Sequence, residues 1–448
     1  MNKIYIALSL IATILLSSCS DFLDITPVGK VIPTTLEDYR ALLTDGYAQS
    51  NNNKSLAGFR TDDYNFFGGW SASKYVEHFF WNENNGDANS SVYDYMNQYQ
   101  TIFICNQVIA AKGVMTEGSI EDQNQLVAEA YALRAMTYFD LVNIFADVYD
   151  AATASSVKAV PLVVSPDIQL DGEFNKASVE VIYNQILSDL KEANSLSAVV
   201  IQNDENLTYR FSQVSINALH AKACLLMNNW KEAIAYSKKV LEEKSELQNL
   251  NTSTDNFLTF KSSENILSIH RAFISSSQKN SIIPSDDLVV VFDTEGSLRK
   301  DVMLTSDNKI AVLAESKYKT TFRVPEVMLI LAEASLRLGT PNVAGARSQL
   351  KKLVDARYST AAATILKASI DTMNREELLV EVYKQRRTEL AFQGKRWIDL
   401  RRNGKPTITH KYKGDSGERE EILTHNDSRY VIKFPVEAIR LNPNLANK

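Results

Sequence analysis

The chain has 448 residues and a formal net charge of −6, with 48 Lys and Arg against 54 Asp and Glu, five His and three Cys. A mildly acidic balance without a clustered Lys/Arg tract argues against nucleic acid as a partner. The three cysteines, Cys19, Cys105 and Cys224, show neither a disulfide framework nor a zinc spacing; the length allows one large domain or two to three ordinary ones.

The first element is a leader. Lys3, an apolar run from Ile4 to Leu16 and the small residues Ser17 and Ser18 are the parts of a secretory signal. The run is too short to span a bilayer comfortably. Leu16-Ser17-Ser18-Cys19 resembles the bacterial lipobox, which implies cleavage after residue 18 and acylation of Cys19. Several acyl chains, each worth about 0.8 kcal/mol per buried methylene, would moor the body to a membrane. The alternative is a plain secreted protein whose leader happens to contain Cys19.

From Asn51 to Asn89 the chain is irregular and rich in Asn, Gly and aromatics, and it is expected on the surface. Sugar rings present apolar C–H faces and hydroxyl rims, so a glycan binder needs flat aromatics beside side chains that both donate and accept hydrogen bonds. Tyr64, Phe67, Trp70 and Trp81 with Asn65, Asn82 and Asn84 supply those types in one stretch, and Gly68-Gly69 lets the backbone turn sharply beside Trp70. The competing reading is that the aromatics pin a long loop to the core. Asn82, Glu83, Asn84, Asp87 and Asn89 offer hard oxygens for calcium, but their spacing does not match an EF-hand loop, so no metal site is assigned.

Helical periodicity then takes over. Helix pairs are expected over about 92–150, 176–245, 322–358 and 374–402. In the second, Ala218, Ala221, Cys224 and Leu225 precede an Asn228-Asn229 break, after which Trp230, Ala233, Ile234 and Val240 line the return helix. In the third, Gly339-Thr340-Pro341 is the turn, with Ala344 and Ala346 opening the return. Small residues where paired helices approach are the spacing of a tetratricopeptide (TPR) unit. One such hairpin cannot bury its own apolar face, so the pairs form a single stacked scaffold. Tyr99, Ile102 and Asn106 fall on a helix as structural residues, and Cys105 and Cys224 as buried, inert thiols.

Between about 251 and 320 the helical period is lost, and long loops with short strands are expected. Arg271, on a loop with Phe273 and Gln278, is a second ligand candidate, suited to a peptide or acidic sugar. In RRTELAFQGKRWIDLRR, Glu389 and Asp399 stand close enough to Arg386, Arg387, Arg396, Arg401 and Arg402 to neutralise them, which favours a structural corner over an anion site. No metalloprotease, serine hydrolase, Walker or dinucleotide motif is present, and the five histidines lack ligand spacing. Two carboxylates suffice for glycoside hydrolysis, but a TPR-like scaffold is an unusual home for it.

Taken in order, the leader ending at Cys19, LEDYRALL, AEAYALRAMTYFDLVNIF with VPLV, VPEVMLILAEASLRLG, RRTELAFQGKRWIDLRRNGK and the closing KFPVEAIRLNPNLANK resemble the SusD/RagB lipoproteins of Bacteroidota. One departure is Phe145-Ala146-Asp147-Val148-Tyr149, where the family commonly reads Phe-Gly-Asp-Val-Pro. The resemblance implies a mainly α, TPR-like helical-hairpin domain (19–448) with long irregular loops and a few short strands, loop-rich over 51–91 and 251–320. It also implies a non-catalytic, outward-facing outer-membrane lipoprotein that captures a nutrient, a glycan or a peptide, without a cofactor. Delivery would be to a SusC-like TonB-dependent transporter, by closing as a lid. Asp21 and Asp24 look similar to the surface-export signals of such lipoproteins. A lipid-anchored TPR scaffold for envelope assembly is the reading outside nutrient uptake.

Overall fold

In the computed structural model the described residues are 32–49, 53–66, 74–82, 93–167, 174–271, 282–312, 315, 317–414 and 417–446. Chain order gives α1 (Leu36–Gln49), α2 (Asn53–Ala57), β1 (Tyr64–Phe66), α3 (Lys74–Phe79), α4 (Met96–Ala110), α5 (Ile120–Phe145), β2 (Lys158–Pro161) and β3 (Lys176–Ser178). Then come α6 (Val179–Leu196), α7 (Gln213–Leu226), α8 (Trp230–Glu243), β4 (Asn265–Leu267), β5 (Ile282–Pro284), α9 (Asp286–Phe292), α10 (Arg299–Met303) and β6 (Phe322–Arg323). The last third holds α11 (Val324–Arg337), α12 (Val343–Arg357), α13 (Thr360–Thr372), α14 (Arg375–Glu389), α15 (Arg396–Arg402), β7 (Ile408–Gly414), β8 (Gly417–Leu423) and α16 (Val436–Leu441). The architecture is mainly helical, as the periodicity requires, and the strands among the described residues pair two by two and antiparallel.

Local chemistry sets the helix boundaries. Ser119 caps α5 by accepting the Asp122 amide, with Glu121 and Asp122 in the first turn where the helix dipole favours negative charge. Asn228 takes a left-handed φ of 59°, and Asn229 accepts the Glu232 amide, so the Asn-Asn break ends α7 and starts α8. Asn342 does the same for α12, accepting the Gly345 amide. Within these pairs Ala221, Cys224 and Leu225 of α7, Ala233 of α8 and Ile330 and Ala334 of α11 form one buried cluster. Small side chains there bring three helix backbones close. Each large aliphatic buried with them contributes about 1.5–3 kcal/mol.

Helices α4, α5 and α6 are locked by a buried polar junction. Arg134 donates to both carboxylate oxygens of Asp189 at 2.6 and 2.8 Å and to Asn106 Oδ1 at 2.7 Å. Asn106 and Ile102 are therefore structural, as read from the sequence, and both cysteines are buried; desolvation pushes the Cys224 thiol up to about 12.

Two features depart from the sequence reading. The first described part of 51–89 is not a surface loop: Asn53 to Thr61 is buried, with Phe59 and Arg60 at 0 % exposure. Among its described residues the 251–320 region also carries two short helices besides its strands. Helix α9 is capped by Ser285, which accepts the Leu288 amide, with Asp286 and Asp287 in its first turn.

The arginine-rich corner is structural and extends far beyond its own phrase. Arg386 donates to Asp399 at 2.8 Å, and Arg402 to Asp399 at 2.9 Å and to Glu333 at 2.5 and 2.8 Å. Trp397 lies under the Arg60 guanidinium, 4.9 Å away, and stacks on Tyr430. Glu389 points to a second cluster, where it accepts from Arg299 at 2.7 Å and from Arg323 and Arg357 at 3.0 Å. Glu264 takes the other ends of Arg323 and Arg357 at 2.8 and 2.5 Å. These five residues are fully buried and join the 251–320 region to the ends of α12 and α14.

Between the corner and α2 sits Gly394, with φ +67°, where an added Cβ would lie 2.7 Å from the Lys54 carbonyl carbon and oxygen. Both neighbours are backbone and cannot swing aside. Gly394→Ala is therefore expected to destabilise the protein by about 3 kcal/mol, combining left-handed strain with the clash. Chemical denaturation checks this; an unchanged midpoint would show that α2 moves freely against the corner.

Candidate ligand-binding region

The two stretches singled out for ligand contact are separated by some two hundred residues, yet the fold brings their roots together. Strand β1 pairs antiparallel with β5 in the register Tyr64 to Pro284, Asn65 to Ile283 and Phe66 to Ile282. The chain thus leaves toward Trp70 at the position where it returns from Gln278. Phe67 and Trp70 lie outside the described residues, as do Asn84, Glu83, Asp87, Asn89 and Cys19. On the far side of the second stretch, Arg271 is exposed and forms an antiparallel bridge with Lys319.

Tyr64 and Trp81 occupy the core rather than a rim. Trp81 is 2 % exposed, its indole N–H donates to the Arg60 carbonyl at 2.9 Å, and its ring stacks on His410 with centroids 4.2 Å apart. The Arg429 guanidinium stands 5.9 Å over the same ring. Tyr64 is 6 % exposed and packs between Phe59 and Phe392. Neither offers a face to a sugar. Both hold the floor on which the candidate stretch is rooted, because β1 needs buried rings on its inner side to dock on the helices. Asn65 is half-buried in β1, and Asn82 is exposed, its amide donating to Glu77 at 2.6 Å.

His410 forms a stacked sandwich with Phe79 and Trp81, and its ring nitrogens lie 2.6 and 2.8 Å from the carbonyl oxygens of Phe79 and Thr61. Burial pushes its pKa down to about 4, against the two carbonyl acceptors, which favour a proton on each ring nitrogen. It bolts β7 to the loop before β1 and to the end of α3.

Sequence reasoning missed the charges that anchor this floor. Asp62 accepts a bidentate pair from Arg396 at 2.7 and 2.8 Å, and Asp63 accepts from Arg387 at 2.8 Å. Burial raises the Asp62 pKa, and the two arginines more than reverse it, holding the carboxyl below its ordinary value. The Ser285 amide and hydroxyl donate to the Asp63 and Asp62 carbonyls. The start of α9, the strand pair and the corner at α14 and α15 are thereby one rigid support. No local signal marks such a pairing, since the partners lie more than three hundred residues apart.

A second concavity opens beside the N-terminus of α4. It has a volume of about 650 Å³ and is walled by α4, the segment after β2, Phe174 and α16. Tyr95 and Tyr99 form its floor, the Tyr99 hydroxyl donating to the Pro161 carbonyl at 2.7 Å.

A family model described as starch-binding, associating with the outer membrane, matches residues 21–225, and one described as the SusD family matches residues 292–444. The chain belongs to the SusD/RagB family. Solved structures agree with this SusD-type fold. A SusD superfamily protein from Bacteroides fragilis is 20 % identical, with 92 % of this chain and 99 % of that chain covered and a TM-score of 0.74. A SusD-like carbohydrate-binding protein from Bacteroides vulgatus is 18 % identical, with 92 % and 97 % covered and a TM-score of 0.72. Another carbohydrate-binding SusD-like protein, from B. fragilis, is 16 % identical over 92 % and 99 % at a TM-score of 0.66. No curated protein matches the chain. Among the described residues no helix of this SusD/RagB protein is long and apolar enough to cross a membrane.

Proposed function

We propose that the protein is a surface-exposed lipoprotein of the outer membrane that captures a glycan and hands it to a TonB-dependent transporter, binding without breaking bonds. Membership of the SusD/RagB family carries this reading. The Leu16-to-Cys19 lipobox supports the anchor, and the carbohydrate-binding character of two structural neighbours supports the ligand class. The paired roots at Phe66 and Ile282 support a site assembled from both candidate stretches, on a floor that does not yield. In this reading Trp70 and Phe67 supply apolar faces, Asn82 and Asn84 supply amides, and Arg271 supplies a cation. Trp81 and Tyr64 act from beneath. A peptide ligand, for which Arg271 would bind carboxylates, is the second reading.

Calorimetric titration with the oligosaccharides that bind best tests the site. Trp70→Ala is expected to weaken binding by about 1–3 kcal/mol, the scale of one lost aromatic platform in a buried contact, with the unfolding midpoint unchanged. Trp81→Ala is expected to lower the midpoint instead. Full affinity in Trp70→Ala and Arg271→Ala together would remove this site.

A further inference from the structure

Fourteen large apolar side chains are exposed among the described residues, and five of them, Met96, Phe103, Val164, Phe174 and Leu441, line the single groove beside α4. Scattered surface apolars need no explanation, but this concentration does. Most of the polar groups around it are already engaged. Tyr99 donates to Pro161, Asn442 donates to the Phe174 carbonyl at 2.9 Å, and the Ser165 hydroxyl donates to Asp167 at 2.7 Å. Lys176 is held by the Leu445 and Ala446 carbonyls at 3.2 Å, and Glu437 and Arg440 pair with each other. Asp167 is the only charged residue among the described residues of the lining.

That wall suits neither a sugar nor a bilayer. A glycan needs side-chain donors and acceptors in quantity, and most of those here are engaged with one another; a membrane needs protruding apolar groups, and these line a hollow. The backbone supplies the deciding observation. The Val163 amide donates to the Tyr138 hydroxyl at 2.7 Å, and its carbonyl accepts from the same hydroxyl at 2.9 Å. The flanking residues Leu162 and Val164, both lining the groove, make no backbone hydrogen bond to any described residue. Extended chain with unused amides and carbonyls at alternate positions, beside apolar sockets, is what an added strand requires.

We propose that this groove docks an extended segment of a protein partner alongside Leu162–Ser165. Its uncharged apolar side chains, at every second position, fill the space between Met96, Phe103 and Leu441, and a basic group meets Asp167. The proposal rests on the capture reading only in that capture requires a receiving protein; the groove is not the nutrient's site.

The test places the photo-crosslinker p-benzoylphenylalanine at Met96 of the full chain in native envelopes, with the same group at Ile365, 73 % exposed and not part of the groove lining, as reference. The expected result is one protein adduct at Met96, mapped to an apolar segment of extended sequence pattern and at least about tenfold above the Ile365 yield. Leu441→Asp and Val164→Pro, which removes the amide without adding charge, should each lower the yield about tenfold, some 1.4 kcal/mol, and leave glycan affinity unchanged. Equal yields at the two positions, an adduct to a second copy, or a matching loss of glycan affinity in Leu441→Asp would each overturn the proposal. A Met96 adduct in a protein that binds no glycan would sink the capture reading and leave the groove standing.

Discussion

Glu389→Ala is expected to cost about 3–5 kcal/mol, a large fraction of the whole stability of an ordinary domain. The reason is arithmetic of charge rather than of contacts. Glu389 and Glu264 together face Arg299, Arg323 and Arg357, and all five are at 0 % exposure. Burial alone would raise the Glu389 pKa, but Arg357, Arg299 and Arg323 outweigh it and hold the carboxyl far below its ordinary range. Arginine cannot escape by losing its proton. Without Glu389, three guanidinium groups would share one carboxylate out of reach of water. Glu389→Gln keeps the shape and removes the charge, so it should cost nearly as much as the alanine. Urea denaturation of both variants decides this, and a nearly native midpoint for the glutamine would show that packing, not charge, holds the cluster.

Acid should unfold the protein in two stages. Three buried histidines come first: His220 and His410 are pushed down to about 4, chiefly by burial, and His270 well below its usual value by burial and the nearby Lys54 and Lys395. Their folded pKa values lie below the unfolded value of about 6.5. The unfolded chain therefore binds more protons as pH falls below 6.5, and stability drops from there toward pH 4. Each of the two shifts to about 4 is worth roughly 3 kcal/mol at its limit.

The carboxylates follow. Glu326, Glu389 and Asp399 are held far down by the cations around them, which more than offset burial, so their contribution is complete above about pH 4.5 and is lost as pH falls through their folded values. Asp63, Asp140 and Asp189 are raised by burial and act in the opposite sense, gaining relative stability in acid, but they are shifted against paired cations rather than held by several. Calorimetric melting at pH 7, 5.5, 4.5 and 3.5 should show a falling Tm throughout. A constant Tm down to pH 4.5 would contradict the histidine stage.

The helical scaffold was legible because burying one face of a helix leaves a period in the sequence, and small residues at Ala221, Ala233 and Ala334 mark where helices touch. The neutralisation of Arg386 and Arg402 was legible because Asp399 is close by in the chain. The remote partners were not. Asp62 against Arg396, or Arg299 against Glu389, leaves no periodic trace, since an ion pair constrains two positions and nothing between them.

The aromatic stretch shows a different limit. Tyr64 and Trp81 carry the residue types of a sugar platform, and the same types serve a core when a backbone carbonyl, here that of Arg60, takes the polar end. Composition records the chemistry available, not the face it turns to. The groove beside α4 left no sequence signal for a related reason: Met96 and Phe103 lie within one helix, and only the third dimension adds Phe174 and Leu441 to them.

The most direct test of the account is a microarray of polysaccharides, oligosaccharides and peptides probed with the folded mature chain. Saturable retention on a defined set of glycans, with no reducing ends released, is the predicted outcome. A folded protein retained by no glycan, or one that cleaves those it meets, would contradict capture without catalysis.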